Sequence, residues 1–192
     1  PLNNGIDFVN YSNSSTLFGA IKAREVDVLI SNSIDDLQRV ALDNMVKNKK
    51  IKSGEGSPIE IGYITFKSNN LPLQNIAIRE AISYTLDREL ISEQVSFGTR
   101  DPLRSIVPPH LHKKDFSPWP KYDPDIAKLL LKKEGYCEKN ILTIPLTFRS
   151  NIPADKLLAL TWKEQIKRDL SDCVKITLNG IESTTVYKQL SE

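Results

Sequence analysis

"ILTIPLTFRSNIPADKLLALTWKEQIKRDLSDCVKITLNG", residues 141–180, changes its apolar period twice. Residues 141–148 are β-branched and apolar, as in a strand. Pro145 has no N–H to give a ladder, so this strand belongs at an edge or carries a bulge. From Pro153 to Leu170, the residues Leu158, Trp162, Ile166 and Leu170 recur at four-residue steps and share one helix face. Residues 174–180 return to strand composition. Strand, helix and strand in that order make a βαβ unit with parallel strands and a right-handed crossover. An α/β fold is expected.

Upstream, "YDPDIAKLLLKKEGY" (122–136) carries a full set of helix signals. Asp123 stands at the N-cap, Pro124 at the first helical position, Asp125 in the first turn, Lys132 and Lys133 in the last, and Gly135 as terminator. In "IAIREAISYTLDRELI" (76–91) the stripe Ile78, Ile82, Leu86 is interrupted by Asp87–Arg88. Asn75 can cap a first helix and Asp87 a second, with Glu89 in its first turn and Gly98 as a left-handed stop. The charged pair then marks a corner between helices, so Asp87, Arg88 and Arg79 belong to the scaffold. Residues 99–122 hold five prolines and no apolar period, a long loop of functional or connecting kind. The first third alternates: strand 5–11, helix 14–25, strand 26–31, helix 34–48 with Asp35 and Asp36 at its start, turn 53–58, strand 59–68.

The chain has 192 residues, 26% charged and 40% hydrophobic, with a formal net charge of +2. Its basic residues are scattered, which excludes the concentrated basic face that nucleic acid or an anionic membrane requires. No apolar run approaches the ~20 residues of a membrane-spanning helix. It opens on Pro1 and reads as an internal piece of a longer protein, so the compartment is not read from a targeting segment. GxSxG, HExxH and a phosphate-cradling glycine loop are all missing, and both histidines, His110 and His112, sit in one loop. Neither an enzyme nor a cofactor is expected. Two imidazoles at alternate positions could share a metal, but no third ligand is evident, so no metal site is assigned. Trp162 belongs to the core; Trp119 either anchors the proline-rich loop or lines a cleft.

Four segments carry a family resemblance. "AIKAREVDVLIS" (20–31) is similar to the "L..GEVDI" segment of the family 5 solute-binding proteins, the extracytoplasmic receptors of peptide and nickel ABC importers. "IAIREAISYTLDRELISEQVSFGT" (76–99) resembles that family's "vRqAlayaiDRe.iv..v..G" signature, "IVPPH" (106–110) its Pro-Pro loop, and "YDPDIAKLLLKKEGY" its "ydpekAkkLLaeAGy" helix. They stand in the family's order across nearly the whole chain. The resemblance implies a periplasmic-binding-protein-like type II fold, two α/β lobes around a hinge with ligand enclosed between them, of which this chain is a partial, two-lobed fragment with βαβ units. It assigns residues 1–92 to the first lobe and 93–192 to the second. It implies a binding protein that captures a small solute, most simply an oligopeptide, and delivers it to ABC permease subunits. The location implied is periplasmic or extracytoplasmic, with membrane attachment only through the permease or an N-terminal anchor outside these residues. A ligand-sensing domain of a transcriptional or signalling regulator is the alternative.

Candidate ligand contacts follow. Where the family places Asn after the strand preceding its signature helix, this chain has Lys67, then Ser68. A cation there would favour a ligand carboxylate; the other reading is a lysine reaching solvent at a strand end. In the βαβ unit, ligands of open α/β sheets bind beyond the carboxyl ends of the strands, where Arg149, Ser150 and Asn151 precede the helix. Arg149 beside free helix N–H groups suits an anion; a capped turn with a solvated arginine is the other reading. Cys137 and Cys173 both precede strands expected to run parallel, so they fit one disulfide, permitted in an exported protein; two buried thiols are the alternative.

Overall fold

The computed structural model describes residues 5–29, 34–54, 56, 61–69, 71–111 and 117–191. It divides into two compact units, Pro1–Ser53 and Gly54–Glu192. The first holds two capped helices. In α1 (Ser14–Ala23) the Asn13 side chain accepts from the Thr16 N–H. In α2 (Asp36–Lys47) Asp35 and Gln38 form a reciprocal capping box, which satisfies two otherwise orphaned donors.

The second unit runs α3 (Ile76–Tyr84), α4 (Arg88–Ser96), a single 3-10 turn at Pro109–Leu111, α5 (Pro124–Lys133), β1 (Leu142–Arg149), α6 (Pro153–Leu170), β2 (Val174–Ile181) and α7 (Ser183–Ser191). β1 and β2 pair in parallel without a bulge, from Leu142 opposite Val174 to Arg149 opposite Ile181. Among the described residues β1 has no neighbour on its other side, which leaves an edge for Pro145. The strands alternate: Leu142, Ile144, Val174 and Ile176 are buried, while Thr143, Pro145, Lys175 and Thr177 are exposed. α6 covers the buried face with Ala159, Trp162, Ile166 and Leu170. α3 contributes Ile78, Ala81 and Ile82 to the same core, and α5 contributes Ala127 and Leu131. Leu142, Leu170 and Leu131 are at most 1% exposed, and fully burying one such side chain stabilises by about 1.5–3 kcal/mol. The disulfide Cys137–Cys173 closes the entrance to both strands.

The corner at Asp87 is built as a scaffold. The Asp87 carboxylate accepts from the Leu90 N–H and caps α4, and the buried Gln165 amide faces the Asp87 backbone N–H and C=O at 3.4 and 3.5 Å. Trp162 donates its indole N–H to the buried Thr85 hydroxyl at 3.1 Å, and Thr85 donates to the Ile82 carbonyl at 2.7 Å. Arg79 donates to the carbonyls of Leu73 and Gln74. The left-handed stop of α4 comes one residue earlier than expected, at Phe97 (φ 54°), with Gly98 also at positive φ.

Three expected strands are not formed among the described residues: 5–11, 26–29 of 26–31, and 61–68 of 59–68. Composition there suits a strand, but a strand exists only where a partner strand pairs with it, and among the described residues no strand is paired with these segments. Residues 30–31 and 59–60 of those expectations lie outside the described residues. Ile64 and Phe66 nonetheless pack on the core of the second unit. Within that unit α3 packs on α5 and α4 on α6.

Candidate functional site

β1 and β2 run parallel, so their carboxyl ends, Arg149 and Ile181, lie side by side. The Ser150 N–H donates to the Ile181 carbonyl at 2.8 Å, which turns the chain across β2 toward α6. Arg149 is half-buried and forks onto Asp155, Nε to Oδ2 at 2.6 Å and Nη2 to Oδ1 at 3.0 Å. Its Nη1 donates to the Tyr187 hydroxyl at 3.0 Å. Asp155 lies in the first turn of α6, where free N–H groups and the helix dipole favour a carboxylate. The place that the sequence offered to an external anion thus holds a carboxylate of the chain itself. The bond to Asp155 raises the Arg149 pKa further above its already high ordinary value, so Arg149 stays charged. Arg149 uses three of its five N–H donors in these bonds, and two remain.

Asn151 is also engaged. Its Oδ1 accepts from the Ser183 N–H at 3.2 Å and hydroxyl at 2.7 Å, which caps the start of α7. The strand-end turn therefore couples three elements, with Ser150 and Asn151 on the surface. Lys67 and Ser68 are exposed on a different segment of the same unit. With Ile64 and Phe66 turned to the core, alternation directs Tyr63, Thr65 and Lys67 outward. No hydrogen bond or ion pair among the described residues joins Lys67 or Ser68 to the strand-end group.

Asp155, Tyr187 and Ser183 belong to this group and were not among the sequence candidates. Asp155 was legible as an acidic first-turn residue six positions after Arg149. Tyr187 was not, because it reaches Arg149 from α7, 38 residues along the chain. His110 lies exposed in the Pro109–Leu111 turn, and His112 lies outside the described residues. Among the described residues no three His, Cys, Asp or Glu side chains gather as a metal site, and no helix is long and apolar enough to cross a membrane. Trp119 lies beneath the Arg88 guanidinium, 5.7 Å from its ring centre, and so anchors the proline-rich loop. An open groove of about 410 Å³ runs between α4 and α6 beside Leu90, Gln94, Leu160 and Arg168, away from every sequence candidate.

The model of the bacterial extracellular solute-binding proteins, family 5 (middle), matches residues 1–192. The heme-binding protein A of Haemophilus influenzae is 26% identical over 125 residues, 64% of this chain and 22% of that protein. The glutathione-binding protein GsiB of Escherichia coli O6:K15:H31 is 31% identical over 119 residues, 62% of this chain and 23% of its own length. The solved structure of Haemophilus influenzae OppA in complex with RPPGFSPFR superposes with a TM-score of 0.65 at 20% identity, over 92% of this chain and 35% of that one. The chain thus spans less than a quarter of these curated relatives, and its fold matches part of a periplasmic binding protein of type II. With the family model covering every residue, the chain belongs to the bacterial extracellular solute-binding proteins of family 5.

Proposed function

We propose that this chain is part of a non-enzymatic receptor that captures a small solute, an oligopeptide in the first place, outside the cytoplasm and delivers it to an ABC permease. The family match over residues 1–192 carries this reading. The likeness to an OppA holding a peptide and to a glutathione-binding protein favours peptide-like ligands over heme. In such a receptor, ligand contacts both lobes only when they close, so binding shifts the population toward the closed state. Attachment to the membrane by a lipid anchor belongs to the same reading.

Lys67 and Ser68 are the ligand-facing residues of one segment, and Arg149, Ser150 and Asn151 those of the strand-end turn. Exposure supports the first pair. The second group is supported by its place beyond the carboxyl ends of two parallel strands and by the two free N–H donors of Arg149. The division into a first lobe over 1–92 and a second over 93–192 is part of this reading.

The test is native mass spectrometry of the full-length protein, followed by calorimetry with whatever peptide co-purifies. Lys67→Ala is expected to weaken an acidic peptide by about tenfold, near the value of a charge-assisted hydrogen bond, and to leave a neutral one unchanged. A full-length protein that binds no peptide, or that converts its ligand chemically, would end the reading.

A further inference from the structure

At the corner that begins α4, two guanidinium groups converge on one neutral oxygen. Arg88 donates through Nη1 to the Pro120 carbonyl at 3.1 Å, and Arg104 donates through its own Nη1 to the same carbonyl at 3.2 Å. Arg104 also pairs with Glu89. Arg88 has no carboxylate within ion-pair distance among the described residues, and its one recorded hydrogen bond leaves four of its five N–H donors uncommitted. Trp119 covers one face of its guanidinium, and the Trp119 backbone N–H donates to the Arg104 carbonyl at 3.0 Å. The cations are therefore held in place by the loop that they fasten. No fully buried side-chain nitrogen among the described residues lacks a partner, so the unbonded nitrogens of half-buried Arg88 keep some contact with solvent.

This is an electrostatically unfinished arrangement. Burial acts first to lower the Arg88 pKa, the Arg104 charge lowers it further, and Glu89 alone opposes them. A half-buried cation beside a second cation, with one carboxylate paired to the second, leaves one positive charge without an ion-pair partner among the described residues. Guanidinium edges with free parallel N–H groups match the paired oxygens of a phosphate or carboxylate.

We infer that Arg88 and Arg104 form a binding site for a small oxyanion of the phosphate or carboxylate kind, in competition with Glu89, at a place separate from the strand-end turn. The anion bridges the two guanidiniums along the Arg88 edge and fastens the proline-rich loop, 117–122, to the start of α4. Binding falls as ionic strength rises, because screening weakens a partly exposed pair.

The experiment is isothermal titration of the intact protein with inorganic phosphate, and separately with acetate, at constant ionic strength held by sodium chloride. Saturable binding of either ion is expected, the stronger response naming the phosphate or the carboxylate kind. Arg104→Gln is expected to weaken it at least tenfold. Glu89→Gln removes an exposed competitor without touching the core and is expected to tighten it about threefold to fivefold, the scale of an exposed charge pair. Loss in Arg104→Gln together with gain in Glu89→Gln separates a site from a merely structural clamp. No saturable binding, or equal binding in Glu89→Gln and the parent, overturns the inference.

Discussion

Replacing Cys137 and Cys173 together by alanine tests how the βαβ unit is held. The two are bonded across a sequence separation of 36, and at 7% and 0% exposure both are buried. Alanine adds no hydroxyl to that site, whereas serine would bury one at a further cost. The cross-link acts on the unfolded chain: for a loop of 36, the chain-entropy relation removes about 13 cal/mol/K, or about 4 kcal/mol at 25 °C. At about 2–4 °C per kcal/mol for a chain of this size, melting should fall by roughly 8–16 °C. The assay is urea unfolding of the oxidised parent, the reduced parent and the double variant. Both uncross-linked forms should share a lower midpoint, and their m-values should rise because an open unfolded chain exposes more surface. Unfolding free energies within about 1 kcal/mol of the oxidised parent would refute the reasoning, as would two free thiols found by mass spectrometry without reductant.

Other expectations concern the core and its titrating groups. Trp162→Phe removes the indole donor to the Thr85 hydroxyl along with part of a core side chain, and urea melts should show a loss of about 2 kcal/mol. Gln165→Leu keeps the volume of a 3%-exposed side chain but strips the Asp87 backbone of its amide partner; a loss of about 1–3 kcal/mol is expected from the same assay. Burial, and then the hydrogen bond to Asp169, raises the Tyr122 pKa above its ordinary value. A raised folded pKa means that Tyr122 stabilises fully below its unfolded pKa of about 10 and that this contribution is lost as pH climbs through the folded value. Melts between pH 9 and 11 should therefore decline less steeply in Tyr122→Phe than in the parent. Asp169 behaves oppositely, its pKa lowered first by Arg168, so its contribution is present above the unfolded carboxylate range and fades as pH falls through the folded value. Asp169→Asn should flatten the acid limb.

Most helices were legible because their causes are local. The four-residue stripe of α6, the Asp123–Pro124 start of α5 and the Asp35 and Asp87 caps involve atoms within one or two turns, and those signals survive wherever the segment sits. The parallel pairing of 142–149 with 174–181 was legible too, since a crossover helix between two apolar strands leaves few other arrangements. Segments 5–11, 26–31 and 59–68 have equally strand-like composition, yet those of their residues that are described lack a partner ladder. α7 went unread because part of its N-terminal capping comes from Asn151, 32 residues away.

The same division runs through the candidate site. Arg149, Ser150 and Asn151 could be placed beyond a strand end from sequence order alone, and membership of the family could be recognised from four motifs in series. Tertiary structure alone decided that Arg149 spends its fork on Asp155, that Asn151 caps a distant helix, and that Arg88 and Arg104 meet at the Pro120 carbonyl. Sequence determines what each side chain can donate or accept and which local backbone it prefers. Which partner takes each donor depends on segments remote along the chain being brought to hydrogen-bonding distance, and only packing of the whole unit does that.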